Sequence, residues 1–210
     1  YESPNMENGY PGKLTVSVVF TLTNDNKLQI NYQAKTDKPT ILNLTNHSYF
    51  NLKGEGNVFD TQVLMHASSY TPKDETNIPD GEIETVKGTP LDFTLEHSIG
   101  ERVHMFEDGY DHNYVIDGNA GELRLAAEAY EPTSGRTLSF YTTEPGFQFY
   151  TAYYLNGRYS RGPLKFEQFT GFCFEAQHYP DSPNKPQFPT VVLRPGETYT
   201  QTTVYQFGTK

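Results

Sequence analysis

The chain has 210 residues and a formal net charge of −10, from 26 acidic and 16 basic side chains; such a field repels a phosphate backbone and counts against nucleic acid as a partner. No run approaches the ~18 apolar residues that a membrane span needs, and no basic amphipathic segment is offered to anionic lipid. Hydrophobic residues make up only 35% of the chain, yet 16 Tyr and 14 Phe can bury a sizeable core, while 17 Gly and 14 Pro argue against long helices.

The first element is a hairpin. Leu14, Val16, Val18, Phe20 and Leu22 alternate with polar residues, Asn24-Asp25-Asn26 makes a turn, and Leu28, Ile30, Tyr32 and Ala34 resume the pattern. Period-2 alternation on both sides of a turn predicts two half-buried strands. Further strands are expected over 40–44, 63–67, 123–130, 137–143, 147–153, 172–177 and 199–207, with turns at Pro79-Asp80-Gly81, Thr133-Ser134-Gly135 and Arg194-Pro195-Gly196. The stretch 70–109 shows little alternation and reads as long irregular connections. Many short strands with frequent turns indicate a sandwich or barrel, and residues 1–210 read as one all-β domain. The single cysteine, Cys173, lies between Phe172 and Phe174 and is expected to be a buried strand thiol without a disulfide.

Three polar clusters interrupt the strand-like runs. His47 stands among Asn43-Leu44-Thr45-Asn46-His47-Ser48-Tyr49-Phe50-Asn51, as either a structural or a catalytic imidazole. Asp111 and His112 follow the glycine turn at Gly109, which also suits a plain turn into a strand. Glu175 sits inside the hydrophobic run Phe172–Gln177, where burial would raise its pKa toward that of a general base unless a salt bridge compensates it. A metal site drawn from His47, Asp111, His112, Glu175 and His178 matches no ligand spacing, so no metal is expected. There is no phosphate-cradling glycine loop and no nucleophile elbow.

The same three clusters, "NLTNHSYFNL" (43–52), "GYDHNYV" (109–115) and "GFCFEAQHYPDSPNKPQFP" (171–189), resemble galactose mutarotases (aldose 1-epimerases). So do "YTPKDETNIPDGEI", "GTPLDF", "TTEPGFQFYTAYYL" and "VLRPGETY", and the resemblance runs from Gly9 to Phe207. It implies a large antiparallel β-sandwich, incomplete at its N-terminus, and an isomerase that interconverts the anomers of free hexoses by opening and reclosing the ring. By the family pattern Glu175 is the general base and His47 the general acid, meeting on opposite sides of one hexose ring. Asp111 and Gln148 match sugar-binding side chains, and Tyr49 and Phe50 are expected to wall the pocket. No cofactor is implied, because both steps move protons to or from oxygen.

Family members carry an upstream portion with a substrate-binding Arg and His that nothing here matches. With a start at Tyr1, the chain is therefore expected to be the C-terminal part of a longer, cytoplasmic enzyme, weakly active or inactive by itself. Its bare sheet edges are expected to favour self-association. A non-catalytic sugar-binding domain, a hexose-6-phosphate epimerase and a glycosidase are the alternatives; the phosphate substrate would need a cluster of Arg or Lys, and the glycosidase two carboxyls across the scissile bond.

Overall fold

The alternation of the first forty residues becomes a meander, which opens the computed structural model of residues 1–210. In chain order the strands are β1 (Glu2–Ser3), β2 (Leu14–Leu22), β3 (Lys27–Thr36), β4 (Thr40–Ile41), β5 (Gln62–Met65), β6 (Ser69–Tyr70), β7 (Glu84–Thr85) and β8 (His97–Ser98). A single helical turn, α1 (Ile99–Arg102), precedes β9 (Asp111–Val115), β10 (Arg124–Tyr130), β11 (Arg136–Thr142), β12 (Gly146–Tyr150), β13 (Ser160–Arg161), β14 (Leu164–Lys165), β15 (Cys173–Gln177), β16 (Val192–Leu193) and β17 (Tyr199–Thr209). Eight strands form one sheet in the order β1-β2-β3-β17-β11-β10-β5-β8, and five form a second in the order β15-β12-β9-β6-β7. Every pairing is antiparallel, as expected for an all-β chain connected by tight turns.

The two sheets face each other across an aromatic core. From the larger sheet come Phe140 and Tyr205, and from the smaller Phe147, Phe149 and Phe174, all fully buried. The rings of Phe140 and Phe174 stack with centroids 5.4 Å apart, and Phe140 stacks on Tyr205 at the same separation. Two hydrogen bonds cross between the sheets: Tyr205 Oη donates to the Phe174 carbonyl (2.8 Å) and Gln201 Nε2 to the Ala176 carbonyl (3.2 Å). Both land on the backbone of β15, which fixes that strand from below.

Most of the expected strands form, with shorter limits at 40–44 and 147–153. The hairpin of β2 and β3 forms around Asn26, which takes the left-handed conformation (φ 60°) that asparagine tolerates. Its burial differs from expectation. Ile30, Tyr32 and Ala34 of β3 are buried, but Val18, Phe20 and Leu22 of β2 are 40%, 59% and 77% exposed. β1 pairs only with Leu14 and Thr15, and both faces of β2 beyond Val16 are bare, so alternation is present without a layer to cover it. The stretch 70–109 is irregular, as expected, but it is no solvated excursion: Val86, Leu91, Phe93, Ile99 and Val103 pack into the core. No helix is long and apolar enough to cross a membrane.

Candidate active site

The outer face of the smaller sheet carries the polar residues, because its inner face is taken by the core. In β15 Phe174 and Ala176 point inward, leaving Cys173, Glu175 and Gln177 on the other side. In β12 Phe147 and Phe149 point inward, leaving Gln148 and Tyr150. Strand register then does the rest: Gln148 lies opposite Glu175, and Tyr150 lies opposite both Cys173 and Asp111. Asp111 enters β9 directly after Gly109 and Tyr110. Gly109 adopts φ +70°, and a Cβ there would come within 2.7 Å of Thr151 Oγ1 and 2.8 Å of Phe169, so the turn that delivers Asp111 depends on glycine.

His47 arrives from the other side, on the connection between β4 and β5. Its ring stacks on Tyr49 (centroids 4.9 Å apart, 20° between planes) and meets the edge of Tyr150 at 6.0 Å. Its Nε2 lies 3.4 Å from Glu175 Oε1. The two proton-handling groups expected to bracket a sugar ring are therefore in contact with each other. Gln148 Nε2 donates to Asp111 Oδ1 (2.7 Å), and Gln177 Nε2 donates to Gln148 Oε1 (3.4 Å). Together with Tyr154, Asn77 and Pro180 these side chains line a cleft of about 430 Å³, which suits a small polar ligand.

Glu175 is 7% exposed, and its pKa is pushed up to about 8, first by burial and second by the negative charge of Asp111. A carboxyl in that state takes and returns a proton near neutrality, as a general acid–base group must.

The other sequence candidates divide. Tyr49 walls the cleft. Phe50 does not: it turns into the core against Tyr205 (5.0 Å), which corrects the expectation for that residue. His112 is buried against Phe106, and His178 is engaged by Glu144 (2.5 Å), so neither joins His47. His47, Cys173 and Glu175 do bring donor atoms within 4.8 Å of one another. Burial and the neighbouring carboxylates push the Cys173 thiol pKa well up, however, so a metal bound there would have to displace its proton. Sequence reasoning missed Tyr150, Gln177, Asn77 and Tyr154. Tyr150 and Gln177 were findable, since each lies two residues beyond a recognised residue on the same strand and so on the same face.

The fold and the cleft define a β-sandwich protein whose smaller sheet gathers His47, Glu175, Asp111 and Gln148 on its outer face. The family model described as aldose 1-epimerase matches residues 1–206, and the chain belongs to that family. It is 43% identical over 210 residues to the galactose mutarotase of Pongo abelii, an alignment taking in 98% of this chain and 61% of that protein. It is 37% identical over 213 residues to the aldose 1-epimerase of Escherichia coli, covering 98% of this chain and 62% of the relative. The crystal structure of galactose 1-epimerase from Lactobacillus acidophilus superposes with a TM-score of 0.87 at 30% identity, over all of this chain and 61% of the other. The chain thus spans about 61% of the length of the relatives it matches.

Proposed function

We infer that the cleft catalyses interconversion of the α and β anomers of a free hexose such as galactose or glucose. Glu175, as carboxylate, takes the proton from the C1 hydroxyl. The electron pair of that O–H bond becomes the C1 carbonyl bond, the bond from C1 to the ring oxygen breaks, and the ring oxygen takes a proton from the His47 imidazolium. Rotation about C1–C2 in the open aldehyde followed by the reverse steps yields the other anomer. The hydroxyl and the ring oxygen share one carbon, so an acid and a base in contact can address both, and no cofactor is needed. Asp111 and Gln148 hold sugar hydroxyls, the carboxylate accepting and the amide both donating and accepting.

The observation that carries this reading is the contact of His47 with a buried glutamate whose pKa lies near 8. The carboxylates of Asp111 and Glu175 in the cleft lining count against a sugar phosphate. The reading brings with it the family's cytoplasmic setting. A second copy of the chain, pairing along the bare edge of β2, is the further partner we infer.

Polarimetry on freshly dissolved α-galactose tests the activity. The expected result is an acceleration over spontaneous mutarotation that Glu175→Gln removes while galactose binding, followed by NMR, persists. A rate equal to the spontaneous one, or equal acceleration by Glu175→Gln, overturns it.

A further inference from the structure

The segment that carries His47 has no ladder of its own, yet it is aligned with β15. From residue 42 to 50 burial alternates strictly: Leu42, Leu44, Asn46, Ser48 and Phe50 are turned inward, and Asn43, Thr45, His47 and Tyr49 are exposed. That is the pattern of an extended strand. At its C-terminal end Phe50 and Phe172 exchange backbone hydrogen bonds in antiparallel register (2.8 and 2.9 Å). Carrying that register three residues along brings His47 opposite Glu175. The acid–base pair is thus a cross-strand pair in a strand that lacks its ladder.

The other end is held by a side chain. Asn43 Nδ2 donates to the His178 carbonyl and Asn43 Oδ1 accepts from the His178 N–H, both at 3.0 Å. A side-chain amide offers the same donor and acceptor as a peptide, so this pair reproduces the exchange a β ladder would have made there. His178 is a fixed post for it, because its ring is engaged by Glu144, which is 3% exposed. Between the two ties no backbone hydrogen bond joins the segment to β15.

We propose that Asn43 is a positioning residue for the anomer interconversion inferred above: its amide stands in for a missing peptide pair and keeps His47 in register with Glu175. Cys173, Asp111, Tyr49 and Tyr150 surround the pair and are untouched by the tie. Without the amide, the segment retains Phe50–Phe172 at one end and the pairing of β4 with β16 upstream, so the fold survives and the register between the ties loosens.

The test uses the full chain as Asn43→Ala and Asn43→Asp, the latter keeping an acceptor for the His178 N–H but losing the donor to its carbonyl. The His47 ring is followed by NMR across pH, melting is recorded, and kcat and KM are taken from polarimetry. In the parent, ionisation of Glu175 is expected as an inflection in the His47 ring shifts. Asn43→Ala is expected to shrink it by about half or more and to lower kcat about tenfold with KM changed less than about twofold; Asn43→Asp falls between. A lowered melting temperature with the inflection and kcat intact means a purely structural tie and overturns the proposal, as does no change at all. If the parent does not accelerate mutarotation, the functional reading fails while the inflection still decides the role of Asn43, and if Asn43→Ala does not fold, Asn43→Asp decides it.

Discussion

Glu175 is held in an environment that favours its acid form, and this links its chemistry to stability. Its pKa is about 8 in the folded protein against an ordinary 4.5, so between those values the folded chain binds more protons than the unfolded one. Stability from this group is then complete below pH 4.5 and lost as pH rises toward 8. Glu175→Gln is therefore expected to abolish catalysis and yet raise the unfolding free energy at pH 8, on the order of 2 kcal/mol, measured by urea denaturation at pH 5 and pH 8 with the gain confined to the higher pH. Asp111→Asn removes the second cause of the shift. It should move the acid limb of the activity profile to lower pH and raise KM several-fold; an unmoved limb would mean that Asp111 does not act on Glu175.

His112 carries the opposite sign. Burial, with the positive charge of Lys73 second, pushes its pKa down to about 3 from 6.5, so the unfolded chain binds the extra proton in that window. Stability then falls as pH drops from about 6.5 toward 3. His112→Gln should flatten that acid slope in a urea series while leaving stability at pH 7.5 nearly unchanged, apart from any packing cost shared across all pH values.

Among the elements, β2 shows both the reach and the limit of sequence patterning. Alternation marked Leu14 to Leu22 as a strand, and it is one, because period 2 is a property of the local chain. Whether a face is covered depends on what lies over it, and nothing in the local pattern of Val18, Phe20 and Leu22 reports that. The converse held for Phe93: its Pro- and Gly-rich surroundings read only as irregular connection, yet its ring is buried against Tyr110 and Phe149. Glu175 stood out in the sequence because a charge in a run of Phe needs a reason, whereas Tyr150 was hidden because a tyrosine in a strand looks like core. The contact between His47 and Glu175 was beyond local reading, since it depends on a register set at Phe50 and Phe172. For β2 the consequence is measurable. Light scattering should show concentration-dependent association, and Phe20→Lys together with Val18→Lys, by placing charges on the edge, should suppress it; a monomeric parent at high concentration would refute the edge contact.

For the whole molecule, the aromatic layer between the sheets packs behind the strands that carry the cleft. Phe174 lies next to Glu175 on β15, fully buried against Phe140, Phe147, Phe149 and Phe172. Phe174→Ala should cost about 3–5 kcal/mol, read as a lower urea midpoint with an unchanged slope. A loss below about 1 kcal/mol would show that the two sheets do not depend on this layer as a unit.

Cys173 lies directly under this cleft and is the one sulfhydryl of the chain. Shut off from solvent, it cannot react with an alkylating agent until the strand bearing the glutamate lifts from its neighbours. Its rate of modification is thus a built-in clock for opening of the catalytic sheet, readable by mass spectrometry without any engineered label, and bound sugar should slow it.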